Sequence, residues 1–197
     1  MRDYLRPVIV LALISLATAL GLAGVYQQTK DPIAANKKLA LRESLGRVLS
    51  DFDNQPEETG LGLKLPGGFP ITFYRGEKAG RVNGLAFLVS TPEGYAGNIE
   101  VLAGISPDGV LKGVEILSQN ETPGLGNRIL RPEFLSQFRE KNLARPDPDR
   151  WKVKKDGGDF DSLTGATISP RAIVKALRQG LVCFQENRET ILKGAPK

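Results

Sequence analysis

Ten residues, Asp161-Ser162-Leu163-Thr164-Gly165-Ala166-Thr167-Ile168-Ser169-Pro170, hold the side chains best placed to do chemistry. Two threonine hydroxyls flank a Gly-Ala pair just ahead of a helix start. Ser169 is a natural N-cap and Pro170 suits the first helical position, so the spacing predicts a helix from that point. An anion beside it meets free backbone N–H groups and the positive end of the helix dipole. That is worth about 0.3 to 1 kcal/mol when exposed and up to about 2 kcal/mol when partly buried. Gly165 and Ala166 leave room for a bulky group to approach the backbone, and Thr167 offers an oxygen that could carry one. The same residues also read as a plain loop followed by a capped helix.

Glu121-Thr122-Pro123-Gly124-Leu125-Gly126 is the second such segment. Pro-Gly is the order a type II turn prefers, with Pro fixing φ at the first central position and Gly taking φ > 0 at the second. Two glycines around Leu125 let backbone lie flat against a planar ligand, and Glu121 and Thr122 supply polar groups at its edge. Without a ligand, these six residues are a loop between a strand and a helix.

Other chemistries find little support. Asp156, Asp159 and Asp161 surround Gly157-Gly158, but the spacing does not fit an EF-hand loop, so no metal site is expected. The chain has no His and a single Cys, Cys183, which rules out a Ser-His-Asp arrangement and a His/Cys zinc or iron–sulfur cluster. No catalytic residue is assigned. The Gly-rich segments lack the Gly-x-Gly-x-x-Gly order opening a helix after a strand, which argues against direct NAD binding. Cys183 cannot form an internal disulfide and is expected to pack as a small hydrophobe on the last helix.

Asp-x-x-(Ser/Thr)-Gly-Ala-Thr at Asp161 to Thr167 resembles the flavinylation site of FMN-binding domains, in which a dedicated transferase joins the FMN phosphate to the last threonine. Together with Glu-Thr-Pro-Gly-Leu-Gly about 40 residues earlier, it resembles the G subunit of the Rnf electron-transport complex and, more distantly, the C subunit of the sodium-pumping NADH:quinone reductase. The resemblance covers nearly the whole chain: a short N-terminal membrane segment, Gly94-Tyr95-Ala96-Gly97 at a strand start, Glu121 to Gly126, Trp151, and Asp161 to Thr167 with its helix. The chain length favours the Rnf protein. Relatives often carry a His just ahead of the Glu-Thr-Pro-Gly run, where this chain has Gln119 and Asn120.

The resemblance implies an α+β fold: one N-terminal transmembrane helix, then a single FMN-binding domain with a largely antiparallel sheet and flanking helices. It implies FMN as a phosphoester on Thr167, with Asp161, Thr164, Gly165, Ala166 and Ser169 around the attachment point. Glu121, Thr122, Pro123, Gly124, Leu125 and Gly126 would lie against the isoalloxazine. The implied partners are a flavin transferase for maturation and the other subunits of a membrane complex. That complex would move electrons between ferredoxin and NAD and couple them to Na⁺ or H⁺ movement. Two alternatives stay open: a membrane-tethered binding or assembly module without a redox cofactor, and a stand-alone reductase holding FMN non-covalently.

The elements that must position these residues follow from composition and pattern. At 197 residues with 41% hydrophobic content, the chain has room for one membrane segment and one domain. Val8 to Tyr26 runs without a charge for about 19 residues, roughly 28 Å of helix, enough to span a bilayer once. Arg2, Arg6 and Ala17-Thr18-Ala19 also allow a cleaved signal peptide, but the apolar run continues past that site. Arg2 and Arg6 compete with Lys30, Lys37, Lys38 and Arg42, so charge counting does not orient the anchor. The signal-like N-terminus and the resemblance favour Gln27 onward on the periplasmic side of a bacterial inner membrane. The net charge of +5 is scattered, with no basic stripe interleaved with aromatics, so nucleic acid is not an expected partner.

The expected organisation is a tail and anchor over 1–29, a connecting helix and loop over 30–60, and the FMN-binding domain over 61–197. Asn36 to Ser50 predicts an amphipathic helix with Leu39, Leu45 and Leu49 among its apolar positions. Strands are predicted at Phe69 to Tyr74, Gly84 to Ser90, Gly97 to Ile105 and Val110 to Leu117, the last two joined by a turn at Pro107-Asp108-Gly109. Pro132 to Asn142 predicts a short helix, and Trp151 to Val153 a short strand. From Pro170 to about Leu192, Ile173, Leu177, Leu181 and Phe184 recur at helical spacing and predict a core-facing helix.

Overall fold

A computed structural model describes residues 2–49 and 51–193. The chain forms two compact units, Met1–Ala40 and Leu41–Lys197. Among its described residues the first unit is wholly helical, part of α1 (Arg2–Val48), which carries Pro7 and Pro32 within it. Its apolar side chains, among them Leu11, Leu16 and Leu22, are exposed. The helix is long and apolar enough to cross a membrane. Leu39 is exposed as well, so of the three leucines expected to face a core only Leu45 and Leu49, both in the second unit, are buried.

The second unit is built on a five-stranded antiparallel meander, β1 (Leu61–Lys64), β2 (Pro70–Lys78), β3 (Arg81–Gly94), β4 (Gly97–Ile105) and β5 (Leu111–Ser118), in spatial order 1-2-3-4-5. The α+β class is as expected, with an edge strand, β1, that the pattern did not give. β1 is a four-residue edge strand pairing Leu61 with Phe73, and its Leu-Gly-Leu-Lys sequence is too short for a readable alternation. β4 and β5 turn at Pro107-Asp108-Gly109, where the Gly109 N–H donates to the Ser106 carbonyl and Gly109 takes φ +80.

Side chains alternate across the sheet, so both faces are buried by different layers. On one face Phe73, Phe87, Val89, Val101 and Ala103 pack under α2 (Pro132–Ser136) and α3 (Ile168–Glu186), with Ile173, Leu177, Leu181 and Phe184 as α3's inner stripe. On the other face Tyr74, Ala86 and Leu102 meet Leu45, Val48 and Leu49 from the end of α1 and just beyond it. That contact needs a glycine: a Cβ at residue 104 would lie 2.0 Å from the Val48 carbonyl oxygen. Arg47 and Ser44 then hydrogen-bond Glu115 on β5 and fix the helix end.

Several boundaries differ from the sequence pattern for identifiable reasons. The helix expected over 132–142 stops at Ser136, because Glu140 takes φ +60 and the chain turns to pair with β5. There the Glu140 N–H donates to the Leu111 carbonyl, and the Leu111 N–H to the Lys141 carbonyl, both at 2.8 Å. Trp151 to Val153 is not a strand: Val153 makes a single parallel bridge to Phe160 between short 3₁₀ turns. The last helix breaks at Asn187, whose Nδ2 donates to the Cys183 carbonyl, and resumes as α4 (Arg188–Lys193). Cys183 is buried on α3, and that burial pushes its thiol pKa up.

Candidate functional site

Both chemically suggestive segments are loops held over one end of the sheet, and each contains the turn its Gly demands. In the first, the Leu125 N–H donates to the Thr122 carbonyl and Gly124 takes φ +76, the left-handed third position of a type II turn with Pro123 before it. Asn127 Oδ1 accepts from the Gly124 N–H at 2.8 Å and braces the turn. The second has the same form: the Ala166 N–H donates to the Leu163 carbonyl around Thr164-Gly165, with Gly165 at φ +81. An aromatic cluster anchors the chain leading into it, with Phe160 stacked on Phe138 and tilted against Trp151. A side-chain amide adds to this, as the Asp161 N–H donates to Gln137 Oε1.

The two turns wall a single cavity of about 350 Å³. Glu121, Thr122, Leu125 and Gly126 line it from one loop, Gly165, Ala166, Thr167, Ile168 and Ser169 from the other, and Tyr95 from the β3–β4 hairpin. Eight of the sequence-predicted residues therefore meet, though 48 positions separate Glu121 from Ser169. Pro123, Gly124 and Thr164 shape the turns without lining the cavity. Asp161 is exposed, pairs with Lys154, and lines a separate cavity with Arg128 and Arg131.

Ser169 differs from its expected role. The helix begins two residues earlier than that reading, at Ile168, with Thr167 at the N-cap position and no side-chain cap. The Ser169 side chain is buried, and its hydroxyl donates to Glu121 Oε2 at 2.8 Å. Because the helix already starts at Ile168, Ser169 lies inside its first turn, past the cap position, and its hydroxyl ties the two loops together. Thr167, half-buried at the cavity wall, makes no side-chain hydrogen bond among the described residues. Thr167 is the residue just before α3, whose first N–H groups have no acceptor within the helix.

Tyr95 and Ile168 line the site but are not signalled by either loop pattern. Gly94 and Gly97 pair with each other, and Gly97 takes φ +112, so Tyr95-Ala96 is the two-residue tip of a hairpin that ends β3 as well as starting β4. An aromatic at such a tip, here 70% exposed, is the signal that was available. With Leu125 at 46% and Ile168 at 43%, it gives the cavity an apolar rim open to solvent.

The three aspartates near Gly157-Gly158 do not converge. Asp156 accepts two hydrogen bonds from Arg171, Asp159 pairs with Arg150, and Asp161 with Lys154. Arg171 holds the Asp156 carboxyl below the usual carboxylate range, and Arg150 does the same for Asp159.

An antiparallel α+β domain with a turn-walled cavity, a free threonine hydroxyl and an apolar rim is the architecture of an FMN-binding domain. Residues 94–182, which contain every lining residue, match the FMN-binding domain family, and residues 2–48 match the RnfG N-terminal region. The G subunit of the ion-translocating oxidoreductase complex of Cereibacter sphaeroides is 37% identical over 192 residues, covering 95% of this chain and 87% of the relative. Its counterpart in Pseudomonas aeruginosa is 36% identical over 203 residues, covering 97% and 93%. This chain belongs to the RnfG family, the G subunits of ion-translocating oxidoreductase complexes. Its fold is that of solved C subunits of Na⁺-translocating NADH-quinone reductase. NqrC of Shewanella oneidensis superposes with TM-score 0.50 at 22% identity over 68% of this chain and 69% of that one. The Parabacteroides distasonis protein superposes with TM-score 0.50 at 16% identity over 83% and 96%.

The residues present fit an FMN. The cavity is of ligand size, its exposed apolar rim suits a planar ring, and its polar wall suits ring-edge hydrogen bonds. The unpartnered Thr167 hydroxyl lies at the helix start, where a phosphate is favoured.

Proposed function

We propose that this chain carries FMN as a phosphoester on Thr167 and relays electrons within an ion-translocating oxidoreductase complex that exchanges electrons between ferredoxin and NAD. The observation that carries the reading is the convergence of both loops on one cavity with Thr167 in its wall. Thr167 Oγ1 would form the P–O bond to the flavin phosphate of a flavin dinucleotide donor, the pyrophosphate bond breaking to release a nucleoside monophosphate and the hydroxyl proton passing to a base of the transferase. The resulting diester keeps one negative charge, which the N–H groups of the first turn of α3 stabilise. Bound there, the flavin supplies the one- and two-electron chemistry that the side chains cannot. Tyr95, Leu125 and Ile168 give it apolar contact, and Gly165 lets it approach the backbone. Covalent attachment prevents cofactor loss on the periplasmic side of the inner membrane, where the domain after the anchor is placed in this reading.

Intact-mass measurement of the chain expressed with and without a flavin transferase, followed by peptide mapping, tests this. The expected result is an FMN-sized increment on the peptide containing Thr167, abolished in Thr167→Ala and weakened in Thr164→Ala. Covalent flavin retained by Thr167→Ala, or no increment with an active transferase, overturns it.

A further inference from the structure

Among the described residues, Glu121 is the only charged one lining the cavity, and it is 4% exposed. Both of its oxygens accept from neutral donors: Oε2 from the Ser169 hydroxyl at 2.8 Å and Oε1 from the Ala96 N–H at 3.2 Å. It forms no ion pair among the described residues. Burying a carboxylate without a cation is costly, and a fold that does so supplies donors and space in compensation. The space here is specific. A Cβ at residue 126 would lie 2.5 Å from Oε2, and one at residue 94, blocked first by the Gly97 carbonyl oxygen at 2.3 Å, would also lie 2.7 Å from Oε1. The hairpin tip, the Glu121 loop and the start of α3 therefore all close on this one group and hold it in place.

We propose that Glu121 is a positioning residue whose fixed, uncompensated negative charge lowers the midpoint potential of the flavin bound in this cavity. The inference rests on the reading that Thr167 carries FMN. A cavity of 350 Å³ is about as wide as the Debye length at physiological ionic strength, about 8 Å, so mobile salt does not screen the carboxylate from a ligand inside it. Glu121 thus opposes each electron that reaches the ring, without an accompanying proton, from a neighbouring redox centre of the complex. It also favours passing that electron on. Because the Ser169 and Ala96 donors draw charge toward themselves, they soften this field, and removing one of them strengthens it.

The test is a spectroelectrochemical titration at pH 8 of the full chain, co-expressed with a flavin transferase and purified in detergent. Glu121→Gln keeps the shape, since its amide oxygen can accept from Ala96 and its amide nitrogen can donate to the Ser169 oxygen, but it removes the charge. Its midpoint potential is expected to move positive. Ser169→Ala keeps the charge and removes a donor, and its potential is expected to move negative. A merely structural role would move both variants the same way. Wild-type chain without flavin overturns the attachment reading and is distinguishable at once by mass. Flavinylated Glu121→Gln at the wild-type potential or below it overturns the inference. If that variant does not fold, an unchanged or positive shift in Ser169→Ala overturns it alone.

Discussion

Gly126→Ala is the smallest perturbation that reports on how this site is built. The new Cβ would lie 2.5 Å from Glu121 Oε2, 2.9 Å from Glu121 Cβ and 3.1 Å from Ser169 Oγ, so it occupies the space in which the serine meets the carboxylate. Two losses follow: a hydrogen bond to a charged group and the strain of overpacking a buried site. Alanine's smaller backbone entropy in the unfolded chain offsets a little of both. Together these give a net cost of about 2 to 5 kcal/mol. For a domain of this size that is a fall in Tm of roughly 5 to 15 °C. Trp151 is the chain's single tryptophan and is buried in the domain, so its fluorescence follows domain unfolding without interference from the N-terminal helix. The decisive comparison is a double-mutant cycle. In a Glu121→Ala background the closest contact, to Oε2, is gone while those to the residue 121 Cβ and Ser169 Oγ remain, so the same glycine substitution is expected to cost clearly less than in the wild-type background. Equal costs in both backgrounds would refute the argument that Gly126 exists to house the Glu121 carboxylate.

Two further outcomes are expected. Gly180→Ala places a Cβ 2.1 Å from the ring of Phe87, which is itself fully buried, so α3 must lift from the sheet. The cost should exceed the helix-propensity gain of about 1 kcal/mol and be relieved by Phe87→Leu, as read by chemical denaturation. For pH, Arg171 depresses the Asp156 carboxyl, so the pair's contribution is present above the ordinary aspartate pKa of about 3.9 and is lost as pH falls through the lower folded value. Carboxyl-resolved NMR should show Asp156 titrating below the usual aspartate range, and Arg171→Gln should return it to that range.

The sequence by itself determined the pieces that depend on local chemistry. A charge-free run as long as a bilayer is thick, the alternation of β4 and β5 around Pro107-Asp108-Gly109, and the Ile173, Leu177, Leu181, Phe184 stripe are each readable because a period or a turn residue encodes them. Thr122-Pro123-Gly124-Leu125 is the turn its Pro-Gly requires. What failed locally failed for a tertiary reason. The helix after Pro132 is cut short because β5 captures its backbone, and Ser169, lying inside the first turn of α3, binds Glu121, distant in sequence. β1 is defined only by the neighbour it pairs with. Tertiary structure alone brought Tyr95 and Ile168 to the cavity and showed that Gly126 makes room for a carboxylate. It also fixed Gly104 under the Val48 carbonyl. Such close approaches leave no periodic trace, since a missing Cβ has meaning only against the atom that takes its place.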